Sequence, residues 1–269
     1  MNTATLQHIL IAWRLGTRSH AMRALLAFGV FLLAIAFLAG AFSPRQPLVV
    51  TLDIGISGIR LLTALLTLFW MQDTFGRDIE RRTLTLAFAQ PVDRTSYVIG
   101  RFIGVMLLVT VAVLLWGIAL AVADQFASWG YGASSKPHLS HYGLVLLGIV
   151  VDAWVIGAFV LALTSVAETP LLPFLAGAGF AIAARSIGAV LNYMVFSESV
   201  DLDLQYLAPT LRILRWLVPD LGQLDWREAV LYGQDFPWTK AWTGLAIMGG
   251  YTLLFLIFAI LAYRKRELS

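Results

Sequence analysis

The chain has 269 residues, of which 59% are hydrophobic and 13% are charged, and its mean hydropathy is +0.79. Because charged residues make up about a quarter of an average soluble domain, this composition excludes an ordinary soluble protein and predicts an all-α polytopic membrane protein. The net charge of +3 does not indicate nucleic-acid binding, since the basic residues are spread over many segments, and the absence of cysteine excludes disulfides and thiolate chemistry.

Residues 1–23 are predicted to form an elbow helix at the inner membrane interface. Apolar residues such as Ile9 alternate there with Arg14, Arg18 and Arg23, which suits a helix whose basic side faces anionic headgroups. Further along, apolar runs of about 20 residues, the length needed to cross the hydrocarbon core, predict six transmembrane helices in a single domain over residues 1–269. The predicted spans are residues 24–42, 48–72, 102–123, 142–166, 171–195 and 241–263.

The longest charged segment, residues 73–101, separates the second and third predicted spans. Charged and large apolar residues alternate in it, which predicts a short amphipathic helix at the membrane surface. Pro91 is expected to end this helix, because proline lacks an amide proton and disfavours helical geometry in the residue before it. The charged members are Arg77, Asp78, Arg81 and Arg82, and the apolar members are Ile79, Leu84, Leu86 and Phe88.

Three short motifs in this segment carry a family resemblance. Glu80-Arg81-x-Thr83-Leu84, then Pro91-Val92-x-Arg94, then Gly100-Arg101, resemble the cytoplasmic loop of type-2 ABC transporter permeases. The segment departs from that pattern at Arg82, where the family has glycine, and at Arg101, where it has lysine. From periodicity alone, an ordinary basic cytoplasmic loop is the alternative interpretation.

The resemblance implies a permease subunit of an ATP-driven exporter, with a cytoplasmic coupling helix that docks on a separate ATPase subunit. It also implies two ATPase copies, a second permease copy in a homodimer, contact with membrane lipid, and a place in the bacterial inner membrane. ATP and Mg²⁺ would be bound by the partner ATPase, and this chain itself would carry no cofactor. The positions implied to contact the ATPase are Glu80, Arg81, Arg82, Thr83, Leu84, Leu86, Phe88, Pro91 and Arg94.

The segment 196–240 is too polar to span a membrane and too apolar for a plain linker. Leucines recur at helical spacing up to Leu217, and Pro219 breaks the pattern before residues 221–232. We expect two short amphipathic helices that lie on, or dip into, the outer interface. The resemblance implies that they act as gate helices, and a lid that only covers the helix ends is the alternative.

Arg60, Asp152 and Arg185 fall inside predicted spans, at similar depths below the outer surface. A charged residue at a helix centre costs about 2.5 to 3.5 kcal/mol on insertion scales, so these side chains are not expected to face lipid. Asp152 can pair with either arginine, and Asp53 offers Arg60 a second acid. Two interpretations stay open: a polar lining that meets a substrate or gates a pathway, and an ion pair that fixes helix packing.

The remaining sequence signals concern topology and chemistry. Lys and Arg are more frequent in the predicted inner segments, which favours an orientation with both termini in the cytoplasm. No nucleotide-binding P-loop motif is present, so an ATPase must be another polypeptide and this chain is not expected to be an enzyme. His138 and His141 lack a third ligand nearby, so no metal site is expected. An ion- or proton-coupled secondary transporter using Asp152 is the alternative function, although the internal repeats it predicts are not apparent.

Overall fold

The computed structural model describes residues 3–18, 20–43, 45–76, 94–126, 139–169, 171–196 and 218–265. These residues are almost entirely helical and contain no strand. The helices are α1 (Thr3–Arg18), α2 (His20–Ala41), α3 (Pro47–Met71), α4 (Arg94–Phe126), α5 (Tyr142–Val166), α6 (Leu171–Phe196), α7 (Arg227–Leu231) and α8 (Trp238–Lys265). A π-helical turn (Gln72–Gly76) extends α3, and 3₁₀ turns occupy Leu139–His141 and Leu221–Leu224.

Six of these helices, α2, α3, α4, α5, α6 and α8, are long and apolar enough to cross a membrane. The prediction of an all-α polytopic membrane protein with six spans is therefore confirmed.

Local sequence sets the helix ends. Pro47 occupies the first turn of α3, where its missing amide proton is not needed. At the other end of a span, α5 stops where Ala167 becomes extended, just before the short polar turn that leads to α6.

The amino-terminal helix is shorter than the predicted elbow, because α1 ends at Arg18 and Arg23 already belongs to α2. It packs closely on α4. Ala12 is buried, and its Cβ lies 2.7 Å from the position that a Cβ on Gly104 would occupy. The helix α4 begins at Arg94, eight residues before the predicted third span. Its first turns continue the packed part of the helix, because Tyr97 and Val98 are buried there.

The bundle has a clear centre. In the apolar membrane-length stretch of α5, 67% of the residues are buried, whereas the corresponding share is 17% in each of α2, α6 and α8. A helix that is apolar on every side belongs in the interior of a bundle, and α5 fits that rule, with α3 and α4 beside it. The apolar outer faces of α2, α6 and α8 are left to contact lipid or other membrane protein.

The outer segment, defined here as residues 218–237, dips into the bundle rather than lying on it. Leu221, Leu224 and Val230 are at most 1% exposed. Residues 221–232 do not form the single helix expected. They form a 3₁₀ turn, which Asp220 caps by accepting a hydrogen bond from the Gly222 amide (3.0 Å), and then α7. The other predicted helix, around residues 207–217, lies outside the described residues.

Candidate functional site

The structure brings Arg60, Asp152 and Arg185 together from three different helices. Asp152 on α5 places Oδ2 3.4 Å from Nε of Arg60 on α3, and the same oxygen accepts a hydrogen bond from Nη2 of Arg185 on α6. The side chains of Arg60 and Asp152 are 6% and 5% exposed, and that of Arg185 is 37% exposed. One buried carboxylate therefore holds two arginines that sequence reasoning treated as alternative partners.

The second acid of Arg60 comes from the outer segment. Arg60 Nη1 lies 2.5 Å from Asp225 Oδ2, and Nη2 donates to the Leu224 carbonyl at 3.2 Å. Arg60 lies thirteen residues after Pro47, which corresponds to about 20 Å along α3, so the outer segment reaches far below the outer end of that helix. Asp225 lies 165 residues after Arg60 in the chain, and a pair so far apart leaves no periodic pattern, so sequence reasoning missed Asp225.

Asp53, which was expected to serve Arg60, pairs instead with Arg227 at the start of α7. Arg227 Nη1 lies 2.9 Å from Asp53 Oδ1 and donates to Ser57 Oγ at 2.7 Å, while its Nε lies 3.3 Å from Asp225 Oδ2. Asp53 does not pair with Arg60 of its own helix, because Arg227 of the outer segment lies beside it. We call the six residues Asp53, Arg60, Asp152, Arg185, Asp225 and Arg227 the charge cluster. Its three arginines balance its three aspartates.

The outer segment can enter the bundle because glycines leave room for it. A Cβ on Gly148 of α5 would lie 2.6 Å from the Leu224 carbonyl oxygen, and a Cβ on Gly188 of α6 would overlap the Asp220 carboxylate. Real Cβ atoms do not approach other atoms so closely, so any larger residue would push the segment outward. These two positions thus set how deeply the segment penetrates.

A cavity of about 320 Å³ lies beside the cluster, between α3, α5 and α6. Its polar lining includes Arg60, Asp152 and Arg185, and its apolar walls include Leu61 and Ile182, which are 59% and 71% exposed. Cavities of this size, mostly apolar with a few convergent polar groups, are typical small-molecule sites. The cluster therefore borders a space that can hold a ligand.

At the end of the bundle opposite the outer segment, a hydrogen bond joins the two ends of residues 73–101, the segment implied to couple to an ATPase. Arg101 of α4 donates from Nη1 to the carbonyl of Thr74 in the π-helical turn at 3.0 Å, and its guanidinium lies 4.5 Å from the centroid of the Tyr97 ring. The Tyr97 ring also contacts α1, where it meets the His8 ring edge-on at a centroid distance of 5.5 Å. Burial, together with the nearby positive charge of Arg101, lowers the pKa of His8.

The predicted ATPase contacts fall mostly outside the described residues. Arg94 is the first residue of α4. The others, Glu80, Arg81, Arg82, Thr83, Leu84, Leu86, Phe88 and Pro91, are not among the described residues, and their role stays a prediction.

Of the two histidines weighed as metal ligands, only His141 is described. Its ring stacks on Phe236 at a centroid distance of 5.1 Å, an aromatic contact between the start of α5 and the outer segment. Across the described ranges, no group of three histidine, aspartate or glutamate residues is arranged to hold a metal ion.

Six membrane-length helices, with the buried side chains of Arg60 and Asp152 between them, define a multi-pass membrane protein. A family model described as ABC-2 family transporter protein matches residues 53–268, and the chain belongs to this family. It is therefore a type-2 ABC transporter permease, the membrane component of an ABC transporter, and such components generally work with an ABC ATPase. Among curated proteins, none matches the chain.

Proposed function

We propose that this chain is the permease of an ATP-driven exporter and that residues 73–101 receive force from a separate ATPase subunit. The observation that carries the proposal is the family match over residues 53–268, which includes this segment, most of α3 and all of α4. The partner ATPase, in two copies, binds ATP and Mg²⁺. The nine coupling positions from Glu80 to Arg94 form its docking surface.

The contacts of α3 suggest how force on that segment reaches the rest of the bundle. Thr74 is bonded to Arg101, so the ends of α3 and α4 move together. Fourteen residues away, about 21 Å along the same helical rod, α3 carries Arg60, which is tied to Asp152 and Asp225. Displacement of α3 at its inner end therefore strains the outer contacts. A packed element with two discrete arrangements is the usual means of such switching.

In this mechanism, the outer segment is the gate. In the conformation described, two ion pairs hold it to α3, Arg60 with Asp225 and Asp53 with Arg227. Outward release of a substrate requires these pairs to separate, and their re-formation closes the exit. Asp152 keeps Arg60 in place through both states. Asp152 is thus a positioning residue, whereas the alternative of proton or ion coupling would make it the transported-ion site.

The permease acts as a homodimer in the bacterial inner membrane, with both termini in the cytoplasm. The half-exposed charges support a second copy or a water-filled pathway on the side formed by α3 and α6. Arg185 and Arg227 are 37% and 36% exposed, and side chains of this kind are costly in contact with lipid.

The central test is retention of an ATPase. The tagged full-length chain is solubilised from its native host, and ATP hydrolysis in the purified fraction is measured. We expect activity with the parent chain and its loss with Phe88→Asp. The matched control, Tyr232→Asp, alters an exposed aromatic residue of the outer segment and should retain the activity. If the parent chain retains no nucleotide-hydrolysing subunit, the proposal is wrong.

Topology can be tested independently because the chain has no cysteine. An impermeant maleimide should label Gln234→Cys in intact cells and Thr83→Cys only in inverted membrane vesicles. The reverse pattern would place residues 73–101 outside and remove the basis for coupling to a cytoplasmic ATPase.

A further inference from the structure

We propose that the cavity beside Arg185 binds the anionic head of an amphiphile, a phosphate or carboxylate carried on an apolar chain. The inference rests on the proposed function and names the substrate class that the permease would take. It depends on which charges of the cluster are accessible, on the hydrogen-bond donors that remain available, and on the walls of the cavity.

The accessible charge in the cavity is positive. Asp152 is buried, and its Oδ2 faces both arginines. Arg60 is also buried, and it is engaged by Asp152, by the Leu224 carbonyl and by Asp225, which stands outside the cavity lining. Arg185 alone of these lining charges is substantially exposed, at 37% of its side chain. A ligand that enters the cavity therefore meets a guanidinium rather than a carboxylate.

Arg185 also has donors to spare. A guanidinium offers five N–H donors in a planar fork that matches carboxylate and phosphate oxygens. In the part of the chain that the structure describes, Arg185 uses Nη2 for Asp152, and Nε and Nη1 have no partner. The bond to Asp152 fixes the orientation of the fork and takes one N–H of Nη2. The second N–H of Nη2 can act together with either Nε or Nη1, and two parallel charge-assisted hydrogen bonds to one anion are the arrangement that such a pair favours.

The apolar walls of the cavity indicate which kind of group is attached to the anion. Leu61, Ala64, Ile149, Ala153, Ile156, Ala181 and Ile182 supply apolar surface. Leu61 and Ile182 are exposed, so the apolar surface continues out of the cavity along α3 and α6. A free inorganic anion would leave the apolar walls inside the cavity uncovered, whereas a chain attached to the anion would cover them and could continue along α3 and α6. An anionic amphiphile satisfies both the cation and the walls.

The test uses a series of probes with the same twelve-carbon chain. Binding of radiolabelled dodecyl phosphate to the purified full-length chain in neutral maltoside micelles is measured by competition with laurate, dodecanol, dodecyltrimethylammonium and inorganic phosphate. We expect dodecyl phosphate and laurate to compete, and the uncharged, cationic and chain-free probes to compete at least about tenfold more weakly. The ratio between phosphate and carboxylate probes identifies the preferred head.

Variants localise the site. Arg185→Gln should weaken binding about tenfold, and Arg185→Lys should recover part of it, because it restores the charge but not the fork. Ser186→Leu tests the cavity without touching a charge. Ser186 lines the cavity, and among the described residues its hydroxyl bonds only to the Ile182 carbonyl of its own helix, so a leucine there should obstruct binding while the fold is kept. Lys240→Gln removes a positive charge elsewhere and should leave binding unchanged.

Equal binding of dodecanol and dodecyl phosphate, or undiminished binding by both Arg185→Gln and Ser186→Leu, would overturn the inference. This measurement needs no ATP and no partner subunit. If dodecyl phosphate fails to bind while the ATPase still co-purifies, the substrate class is wrong and the permease function stands. If the ATPase is not retained but the anionic probes bind at Arg185, the coupling to an ATPase is wrong and the anion site stands.

Discussion

Arg60 and Asp225 lie 2.5 Å apart although α3 and the outer segment are distant in the chain. The pair fixes the outer segment at a depth of about 20 Å along α3, and the Leu224 carbonyl adds a second bond to the same guanidinium. Buried ions are costly to remove from water, so such a pair persists only where several partners satisfy each group. Arg60 has three such partners, which makes it the centre of the charge cluster.

Removing Arg60 should therefore be strongly destabilising. We expect Arg60→Gln to lower the free energy of unfolding by about 3 to 5 kcal/mol, because it leaves the buried Asp152 with one fewer cation. Thermal unfolding of the purified chain in detergent measures the change. The control is Arg227→Gln, which breaks a half-exposed pair and should cost about 1 kcal/mol or less. Equal effects of the two variants would show that burial does not set the importance of Arg60.

Asp152→Asn keeps the shape of the side chain and removes its charge. Arg60 and Arg185 would then face each other without the carboxylate between them, so we expect a loss of stability comparable to that of Arg60→Gln. Asp53→Asn, at a half-exposed carboxylate, is the matched control. Assembly with the ATPase should be measured alongside transport. A normally stable, normally assembled Asp152→Asn complex that has lost transport would reject the positioning role.

Gly148 tests whether close packing holds the outer segment in place. In Gly148→Ala the new Cβ would lie 2.6 Å from the Leu224 carbonyl oxygen, so the segment must shift and weaken its bond to Arg60. We expect a loss of about 1 to 3 kcal/mol, as for other overpacked interiors. Gly143→Ala in the same helix meets nothing within 4 Å and should be neutral or stabilising by up to about 1 kcal/mol. If Gly148→Ala is as stable as Gly143→Ala, the segment does not depend on this contact.

His8 should make the docking of α1 depend on pH. Its pKa is lowered in the folded chain, first by burial and then by Arg101, so the unfolded chain binds the proton more readily. With more protons bound in the unfolded state, stability rises with pH. The contribution of His8 is therefore complete above the ordinary pKa of about 6.5 and declines as the pH falls below it.

The measurement is the thermal midpoint at pH 7.5 and at pH 5.5. We expect His8→Gln to reduce the difference between the two midpoints, whereas His20→Gln, at an exposed position on α2, should leave it as in the parent chain. A parent-like difference in His8→Gln would assign the pH dependence to other groups.

Much of the architecture could be predicted because it depends on local signals. Apolar runs of sufficient length gave six spans, and the predicted fourth span, residues 142–166, coincides with α5. The start of α4 differed from the predicted span, and the first turns of that helix are buried at Tyr97. Contacts between helices cause such burial, and a hydropathy pattern contains no information about them. The family match agrees with the resemblance found in residues 73–101, although the coupling positions themselves remain a prediction.

The sequence by itself determined that Arg60, Asp152 and Arg185 must be kept from lipid, because the cost of a charge in hydrocarbon is a property of the residue and its span. Only the tertiary structure decided which acid each arginine meets. Asp225 reaches Arg60, and Arg227 takes Asp53, because Gly148 and Gly188 let the outer segment enter between the helices. Ion pairs form between atoms that are close in space, and in this bundle the closest partners come from segments that are far apart in the chain.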